Sequence, residues 1–132
     1  MNQTALRVLV VDDNALVREA LCELLWTEAD IEVVCQASNG KDAVRLAKKH
    51  QPDLVLLDIA MPEMNGIDAA RWIKAQLPDT QVLIFSQLSS VGFAKEALAA
   101  GASGYIAKEN AVSDLMPEVR KIQQMRARPG GS

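Results

Sequence analysis

Short, uninterrupted hydrophobic runs alternate along the chain with longer segments in which apolar residues recur at helical spacing. The runs predict five strands, at residues 7–11, 32–37, 54–57, 81–85 and 104–107. Unbroken apolar runs of this length are typical of strands that are buried on both faces of a parallel sheet. The remaining segments predict five helices, at about residues 15–26, 40–49, 66–76, 91–100 and 113–125.

Capping residues support these helix positions. Asn14 and Asn39 each precede a helical segment and can accept hydrogen bonds from its first free N–H groups. Gly101 follows the fourth helix, at the position where glycine commonly ends a helix. Pro117 is expected within the first turn of the last helix, where its missing N–H does no harm.

Regular alternation of strands and helices predicts an α/β fold with right-handed crossovers and helices on both faces of the sheet. Two doubly wound strand orders are common, and five strands favour the flavodoxin-like order 2-1-3-4-5. In such a sheet the ligand crevice lies at the switch point, here between the first and third strands. We therefore expect a doubly wound, five-stranded parallel sheet with five helices and a site beyond those two strands.

Composition places the chain among globular proteins. Its 132 residues, 49% hydrophobic and 23% charged, suit one domain, which we expect to span residues 1–125, with 126–132 as a linker or disordered tail. A net charge of −3 and a pI near 5.1 argue against a dedicated nucleic-acid binder. No apolar stretch approaches transmembrane length and the first residues lack a secretory signal, so we expect a cytoplasmic protein without membrane contact.

Four predicted strands end in side chains that are suited to phosphate chemistry. They are Asp12 and Asp13 after the first strand, Asp58 after the third, Ser86 after the fourth and Lys108 after the fifth. Because the carboxyl ends of parallel strands meet at one edge of the sheet, we expect these side chains to lie together. Each alone could be a turn, cap or surface residue. Their joint occurrence at four strand ends favours a functional site.

The three carboxylates predict a site for a hard divalent cation. Carboxylates that face each other repel, and a cation between them removes that cost. Mg²⁺ characteristically takes one or two carboxylates together with water and phosphate oxygens. We expect Asp13 and Asp58 to ligate Mg²⁺ directly, Asp12 to ligate it directly or through water, and the backbone carbonyl of Ala60 to supply another oxygen.

Phosphoryl transfer is the chemistry that this set of residues favours. Asp58 is the expected nucleophile, which would form an acyl phosphate. Lys108 is a compact cation for the phosphoryl oxygens, and Ser86 offers a hydroxyl donor. A phosphohydrolase of the haloacid-dehalogenase type would need Asp-x-Asp, whereas this chain has Asp12-Asp13-Asn14. A flavin-binding module of the same topology would place two carboxylates against the flavin phosphate, which they would repel without a metal.

These residues make the chain resemble the response-regulator receiver (CheY-like) domain of bacterial two-component signalling. The similarity runs from about Leu6 to Ile122 and rests on four motifs, Val10–Asp13, Leu57–Gly66, Ser86 and Gly101–Lys108. The segments Leu16–Leu21 and Gly101–Tyr105 most resemble the NarL/FixJ-like subfamily, whose members often carry a helix-turn-helix output domain. The chain departs from the family pattern at Glu109, where a proline often follows the lysine, and at Gln87, where a small residue is common.

The resemblance implies a role for each site residue. Asp58 would accept phosphate from a histidine kinase or a small phosphodonor, while Asp12 and Asp13 hold Mg²⁺ and Lys108 bridges to the phosphoryl group. Ser86 would be the switch hydroxyl, and Tyr105 the aromatic partner that turns inward as Ser86 moves. Such a domain catalyses only its own phosphorylation and dephosphorylation, and is otherwise not an enzyme.

The expected partners also follow from the resemblance. They are a histidine kinase, an output domain or effector protein, and a second copy of the chain after phosphorylation, with no direct contact between this chain and nucleic acid. The alternative is a stand-alone or phosphorylation-independent receiver that acts as a protein-interaction module.

Overall fold

The computed structural model describes residues 5–59, 66–86 and 91–127. Five strands and five helices alternate along these ranges. They are β1 Leu6–Val11, α1 Ala15–Trp26, β2 Ile31–Ala37, α2 Gly40–His50, β3 Leu54–Asp58, α3 Gly66–Gln76, β4 Gln81–Ser86, α4 Val91–Ala99, β5 Gly104–Ala107 and α5 Ala111–Ala127. A short 3-10 turn, Lys108–Asn110, joins β5 to α5. None of the helices in these ranges has the length and apolar content that crossing a membrane requires.

The strands form one parallel sheet in the order β2-β1-β3-β4-β5, which confirms the predicted doubly wound topology. β1 and β3 are neighbours, with Val11 beside Leu57. Their carboxyl ends therefore lead into Asp12 and Asp58 at the same edge of the sheet. β4 follows on the other side of β3, with Phe85 beside Asp58.

The sheet separates two hydrophobic cores. One core lies under α2, α3 and α4 and includes Leu9 and Val11 of β1. The other lies under α1 and α5 and includes Val8 and Val10 of the same strand. Successive strand residues thus point to opposite faces, and both faces are covered. This two-sided burial explains why the strands read as continuous apolar runs.

The predicted caps are present. The side chain of Asn14 accepts hydrogen bonds from the N–H groups of Leu16 and Val17 at 2.9 and 3.2 Å. Asn39 accepts one from the N–H of Asp42 at 2.7 Å. Gly101 has a φ of 105°, a conformation that side-chain-bearing residues rarely adopt, and it ends α4 as expected.

The last helix differs from its prediction at both ends. It begins at Ala111, because the 3-10 turn leads into it without a break, and not at Ser113. The prediction that Pro117 lies in the first turn is therefore wrong, since it is inside the helix. The helix runs to Ala127 and so includes the first two residues of the predicted tail.

Candidate functional site

Three carboxylates meet beyond the ends of β1 and β3. One oxygen from each of Asp12, Asp13 and Asp58 lies within 4.8 Å of the others. Asp12 and Asp58 are buried, with 0% and 2% of their surface exposed, and Asp13 is exposed to solvent. The two buried carboxylates come from adjacent strands, so the topology places them side by side. The cluster has one open side, through Asp13.

Asp12 is held by the first turn of α1. Its Oδ1 accepts a hydrogen bond from the N–H of Asn14 at 2.8 Å. Its backbone carbonyl accepts one from the guanidinium of Arg18 at 2.7 Å. Its other carboxylate oxygen, Oδ2, is buried and accepts no hydrogen bond from any described residue.

Lys108 places its ammonium between the two buried carboxylates. Nζ lies 2.6 Å from Asp12 Oδ2, at an angle outside hydrogen-bond geometry, and donates to Asp58 Oδ2 at 3.3 Å. The lysine side chain is 16% exposed. Burial lowers the pKa of Lys108, but the close, negatively charged oxygens of Asp12 and Asp58 raise it by more, so the net pKa is raised. The ammonium is therefore charged at neutral pH and offsets part of the repulsion between the carboxylates.

The donor set fits a hard cation. Asp12 Oδ2 is buried and has the Lys108 ammonium as its ion-pair partner, but it accepts no hydrogen bond and so keeps an acceptor position that a cation can fill. Three carboxylates within 4.8 Å supply only oxygen, which Mg²⁺ and Ca²⁺ prefer over softer ligands. Ala60, whose carbonyl was expected to join this set, lies outside the described residues, as does Gln87.

Ser86 and Tyr105 form the second half of the site. Ser86 ends β4 and is fully buried, while Tyr105 lies half-buried on β5. A side-chain hydrogen bond joins the two hydroxyl groups. Burial raises the pKa of Tyr105, this hydrogen bond lowers it in part, and the charge of Asp58 raises it further, with a net increase. The structure therefore links the predicted switch hydroxyl to the predicted aromatic partner.

Gly66 closes the loop that follows Asp58. Its N–H donates to the carbonyl of Ile59 at 2.8 Å. A Cβ atom at this position would lie 2.1 Å from the backbone oxygen of Asp58 and 2.6 Å from Cα of Ile59. Only glycine allows the start of α3 to approach the end of β3 this closely.

Sequence reasoning did not find two residues of the site. Arg18, which donates a hydrogen bond to the Asp12 carbonyl, lies one turn into α1. In the sequence, the only signal of this role is a long basic side chain shortly after an acidic pair. Phe85 places its ring 5.2 Å from the ammonium of Lys108, measured to the ring centroid. In the sequence Phe85 is one of several apolar residues in a strand. Only the register, which places it beside Asp58, reveals its position.

Comparisons with known proteins agree with this geometry. The family profile described as response regulator receiver domain matches residues 8–120. The transcriptional regulatory protein DegU of Brevibacillus brevis is 35% identical over 124 residues, which are 94% of this chain and 52% of that protein. The crystal structure of a LuxR-family two-component response regulator from Aurantimonas sp. SI85-9A1 has a TM-score of 0.87 at 32% identity, covering 91% of this chain and 86% of the other.

A third match comes from the CheX-CheY-BeF3-Mg complex of Borrelia burgdorferi, with a TM-score of 0.82 at 29% identity over 88% of this chain and 87% of the other. The chain spans about half the length of the curated relatives that it matches, 52% of DegU for example. It therefore belongs to the response regulator receiver domain family of two-component signalling, among relatives of the LuxR and NarL type.

Proposed function

We propose that this receiver domain takes a phosphoryl group on Asp58, from the phosphohistidine of a histidine kinase or from a small acyl phosphate. A carboxylate oxygen of Asp58 forms a bond to phosphorus while the bond from phosphorus to the donor breaks, and the donor leaves with that electron pair. The supporting observation is the pair of buried carboxylates at neighbouring strand ends, with the Lys108 ammonium 2.6 and 3.3 Å from them.

Asp12, Asp13 and Asp58, with the backbone carbonyl of Ala60, are the proposed ligands of Mg²⁺. Asp12 Oδ2, which is buried and contacts the Lys108 ammonium without accepting a hydrogen bond, and the short distances between the three carboxylates support this assignment. The Borrelia CheY complex contains both Mg and BeF3. When bound, Mg²⁺ supplies positive charge to the phosphoryl oxygens.

Lys108 is the proposed partner of the new phosphoryl group. Its ammonium already contacts the accepting carboxylate, so a small movement transfers the contact to a phosphoryl oxygen. Ser86 then turns its hydroxyl toward the phosphoryl group and gives up its hydrogen bond to Tyr105. The ring of Tyr105 responds by turning inward, which passes the change to β5 and its neighbouring helices.

The output of this switch is the control of protein contacts in the cytoplasm. The matched relative DegU is a transcriptional regulator about twice as long as the matched segment, so we propose a transcriptional output domain or a separate effector as the partner. In this proposal phosphorylation also favours the formation of a homodimer. In this proposal residues 1–125 form the receiver unit and residues 126–132 begin a linker, whose first two residues still belong to α5. The only reactions that the domain catalyses are its own phosphorylation and dephosphorylation.

Incubation with acetyl phosphate and Mg²⁺, followed by intact-protein mass spectrometry, tests the proposal. We expect a phosphoryl mass increment on the wild type that is lost in Asp58→Asn and on removal of Mg²⁺ with EDTA. Asp68→Asn is the matched control, because Asp68 is an exposed aspartate on α3 in a surface ion pair with Arg71. A wild type that takes no label, or an Asp58→Asn variant that labels equally, would leave the phosphorylation-independent interaction module as the better account.

A further inference from the structure

The ring of Phe85 lies against the ammonium of Lys108. Nζ is 5.2 Å from the ring centroid, within the distance of about 6 Å at which the negative face of an aromatic ring attracts a cation. Phe85 is 2% exposed and Lys108 is 16% exposed, so both partners are largely withdrawn from water. Desolvation strengthens an attraction of this kind.

The strand register places the ring, the cation and the accepting carboxylate on one face of the sheet. Phe85 pairs with Asp58 across the β3–β4 ladder. Residues that pair in adjacent parallel strands point to the same side, and Phe85 belongs to the core beneath α1 and α5. Asp58 therefore points to that side too, and Lys108 reaches both from the end of β5.

The side chain of Lys108 borders a second space into which it could turn, away from Asp12 and Asp58. A groove of about 580 Å³ borders the lysine and is lined mainly by apolar residues of α1 and the start of α5, together with Phe85 itself. Glu109 also lines this groove, so a lysine that turned into it would find another carboxylate. A flexible four-carbon side chain needs additional contacts to favour one position. In the structure the ammonium faces Asp12 and Asp58 and lies 5.2 Å from the centroid of the Phe85 ring, so the ring contributes one such contact to this position.

We infer that Phe85 is a positioning residue for phosphoryl transfer, acting through Lys108. A ring attracts the ammonium without accepting its N–H bonds in the way that oxygen does, so the donors remain available for carboxylate and then phosphoryl oxygens. The ring is also a partner that carries no net charge, and this does not change when Asp58 is phosphorylated. This inference rests on the proposed phosphoacceptor function of Asp58.

Three replacements at position 85 test the role of the ring in the full chain. Phe85→Leu removes the ring, site-specific pentafluorophenylalanine keeps its shape but reverses its charge distribution, and Phe85→Tyr keeps its attraction for cations. We expect the rate constant for labelling by acetyl phosphate at saturating Mg²⁺ to fall about 2- to 30-fold in the first two variants and to stay within about 2-fold in the third. Mg²⁺ affinity of the unphosphorylated protein, measured by calorimetry, is expected to stay unchanged in all three.

A double-mutant cycle separates positioning from a purely structural effect. In a Lys108→Ala background, Phe85→Leu is expected to cause no further loss of rate, because its effect passes through the lysine. Three results would each overturn the inference. They are an equal loss of labelling rate on Phe85→Leu in both backgrounds, wild-type labelling rates in the leucine and pentafluoro variants, and a loss of Mg²⁺ affinity that parallels the loss of rate. A wild type that is not labelled at all would instead overturn the proposed function, so the two failures are distinguishable.

Discussion

At the scale of single residues, the site depends on a balance of charges that are buried together. Two buried carboxylates, Asp12 and Asp58, share the one ammonium of Lys108, which leaves an excess of negative charge in a place with little water. A buried charge that loses its partner is strongly destabilising, whereas an intact pair contributes modestly to stability. The cluster is thus sensitive to the loss of any member.

Replacement of Lys108 tests how far the stability of the protein depends on this charge balance. We expect Lys108→Met to lower the free energy of unfolding by about 3–5 kcal/mol near neutral pH, because both carboxylates lose their cation. Since the pKa of Lys108 is raised above its ordinary 10.5, its contribution is complete below 10.5 and is lost as the pH rises through the higher folded value. Urea denaturation of the wild type and of Lys108→Met, near neutral pH and in stepwise more alkaline buffers, measures how the difference in their free energies of unfolding depends on pH. If the difference in free energy of unfolding between the wild type and Lys108→Met already declines between neutral pH and about pH 9, the raised pKa of Lys108 is contradicted.

Gly66 provides a second test at this scale. Its substitution by alanine forces a carbon to within 2.1 Å of the Asp58 backbone oxygen, so the end of β3 must move. We expect Gly66→Ala to cost about 1–3 kcal/mol of stability and to slow phosphoryl labelling, because the accepting carboxylate is displaced. Gly104→Ala is the matched control, since its nearest contacts would be 3.1 and 3.2 Å from side-chain atoms. Equal effects of the two substitutions in denaturation and labelling assays would refute this account.

At the scale of elements, the last helix is joined to the opposite end of the domain by polar contacts. Arg120 of α5 pairs with Glu28 and, at 2.9 Å, with Asp30 in the turn between α1 and β2. Gln123, one turn further on, donates to the same Asp30 carboxylate at 2.9 Å. Together these contacts orient the C-terminal half of α5.

This connection predicts a small, pH-dependent contribution to stability. Hydrogen bonds from Arg120 and Gln123 hold the pKa of Asp30 below its usual 3.8. The contribution of Asp30 is therefore present above 3.8 and is lost as the pH falls through the lower folded value. We expect Asp30→Asn to cost about 0.2–1 kcal/mol at neutral pH, less at high salt, because the group is exposed. Lys121→Gln, on the same helix in an exposed pair with Glu118, serves as the control in denaturation experiments.

The hydrogen bond between Ser86 and Tyr105 predicts which elements respond to phosphorylation. Breaking it frees the Tyr105 side chain on β5. We expect the phosphoryl mimic beryllofluoride to change amide hydrogen exchange across residues 87–105, in α4 and β5, and to leave α2 unchanged. Ser86→Ala lacks the hydroxyl and should respond less. Exchange that is identical with and without the mimic in the wild type would contradict the proposed switch.

At the scale of the whole molecule, the proposed Mg²⁺ site would couple ion binding to folding, because the acidic cluster is assembled from separate strand ends. A ligand that binds only the folded protein stabilises it, by about 1.4 kcal/mol at ten times its dissociation constant. We expect Mg²⁺ to raise the melting temperature of the wild type by several degrees. In Asp13→Asn the increase should be much smaller, while the melting temperature without Mg²⁺ stays close to that of the wild type, because Asp13 is exposed. The same shift in both proteins, measured by calorimetry, would argue against Asp13 as a ligand.

Much of the architecture could be predicted because it depends on local patterns. Buried strands read as apolar runs, and their ends bring Asp12, Asp58 and Lys108 together whatever the details of packing. The start of α5 could not be predicted, because the 3-10 turn before it depends on tertiary contacts, and Pro117 was misplaced for that reason.

Side-chain contacts were the least predictable part of the site. The contact between Phe85 and Lys108 depends on strand register and on a lysine rotamer, neither of which leaves a sequence pattern. The role of Tyr105 came only from family resemblance, because a half-buried aromatic in a strand has no distinctive signal. Arg18 likewise became visible only when its guanidinium was found on the Asp12 carbonyl.

The position of β1 between β2 and β3 in the sheet has a consequence for synthesis of the chain. The N-terminal strand pairs with β2 on one edge and with β3 on the other. A ribosome releases β1 and β2 before β3, so the edge of β1 that pairs with β3 has unpaired N–H and C=O groups until residues 54–57 emerge. An apolar edge that stays open in this way can pair with a neighbouring nascent chain. Slow translation between α1 and β3 would prolong that exposure and favour aggregation.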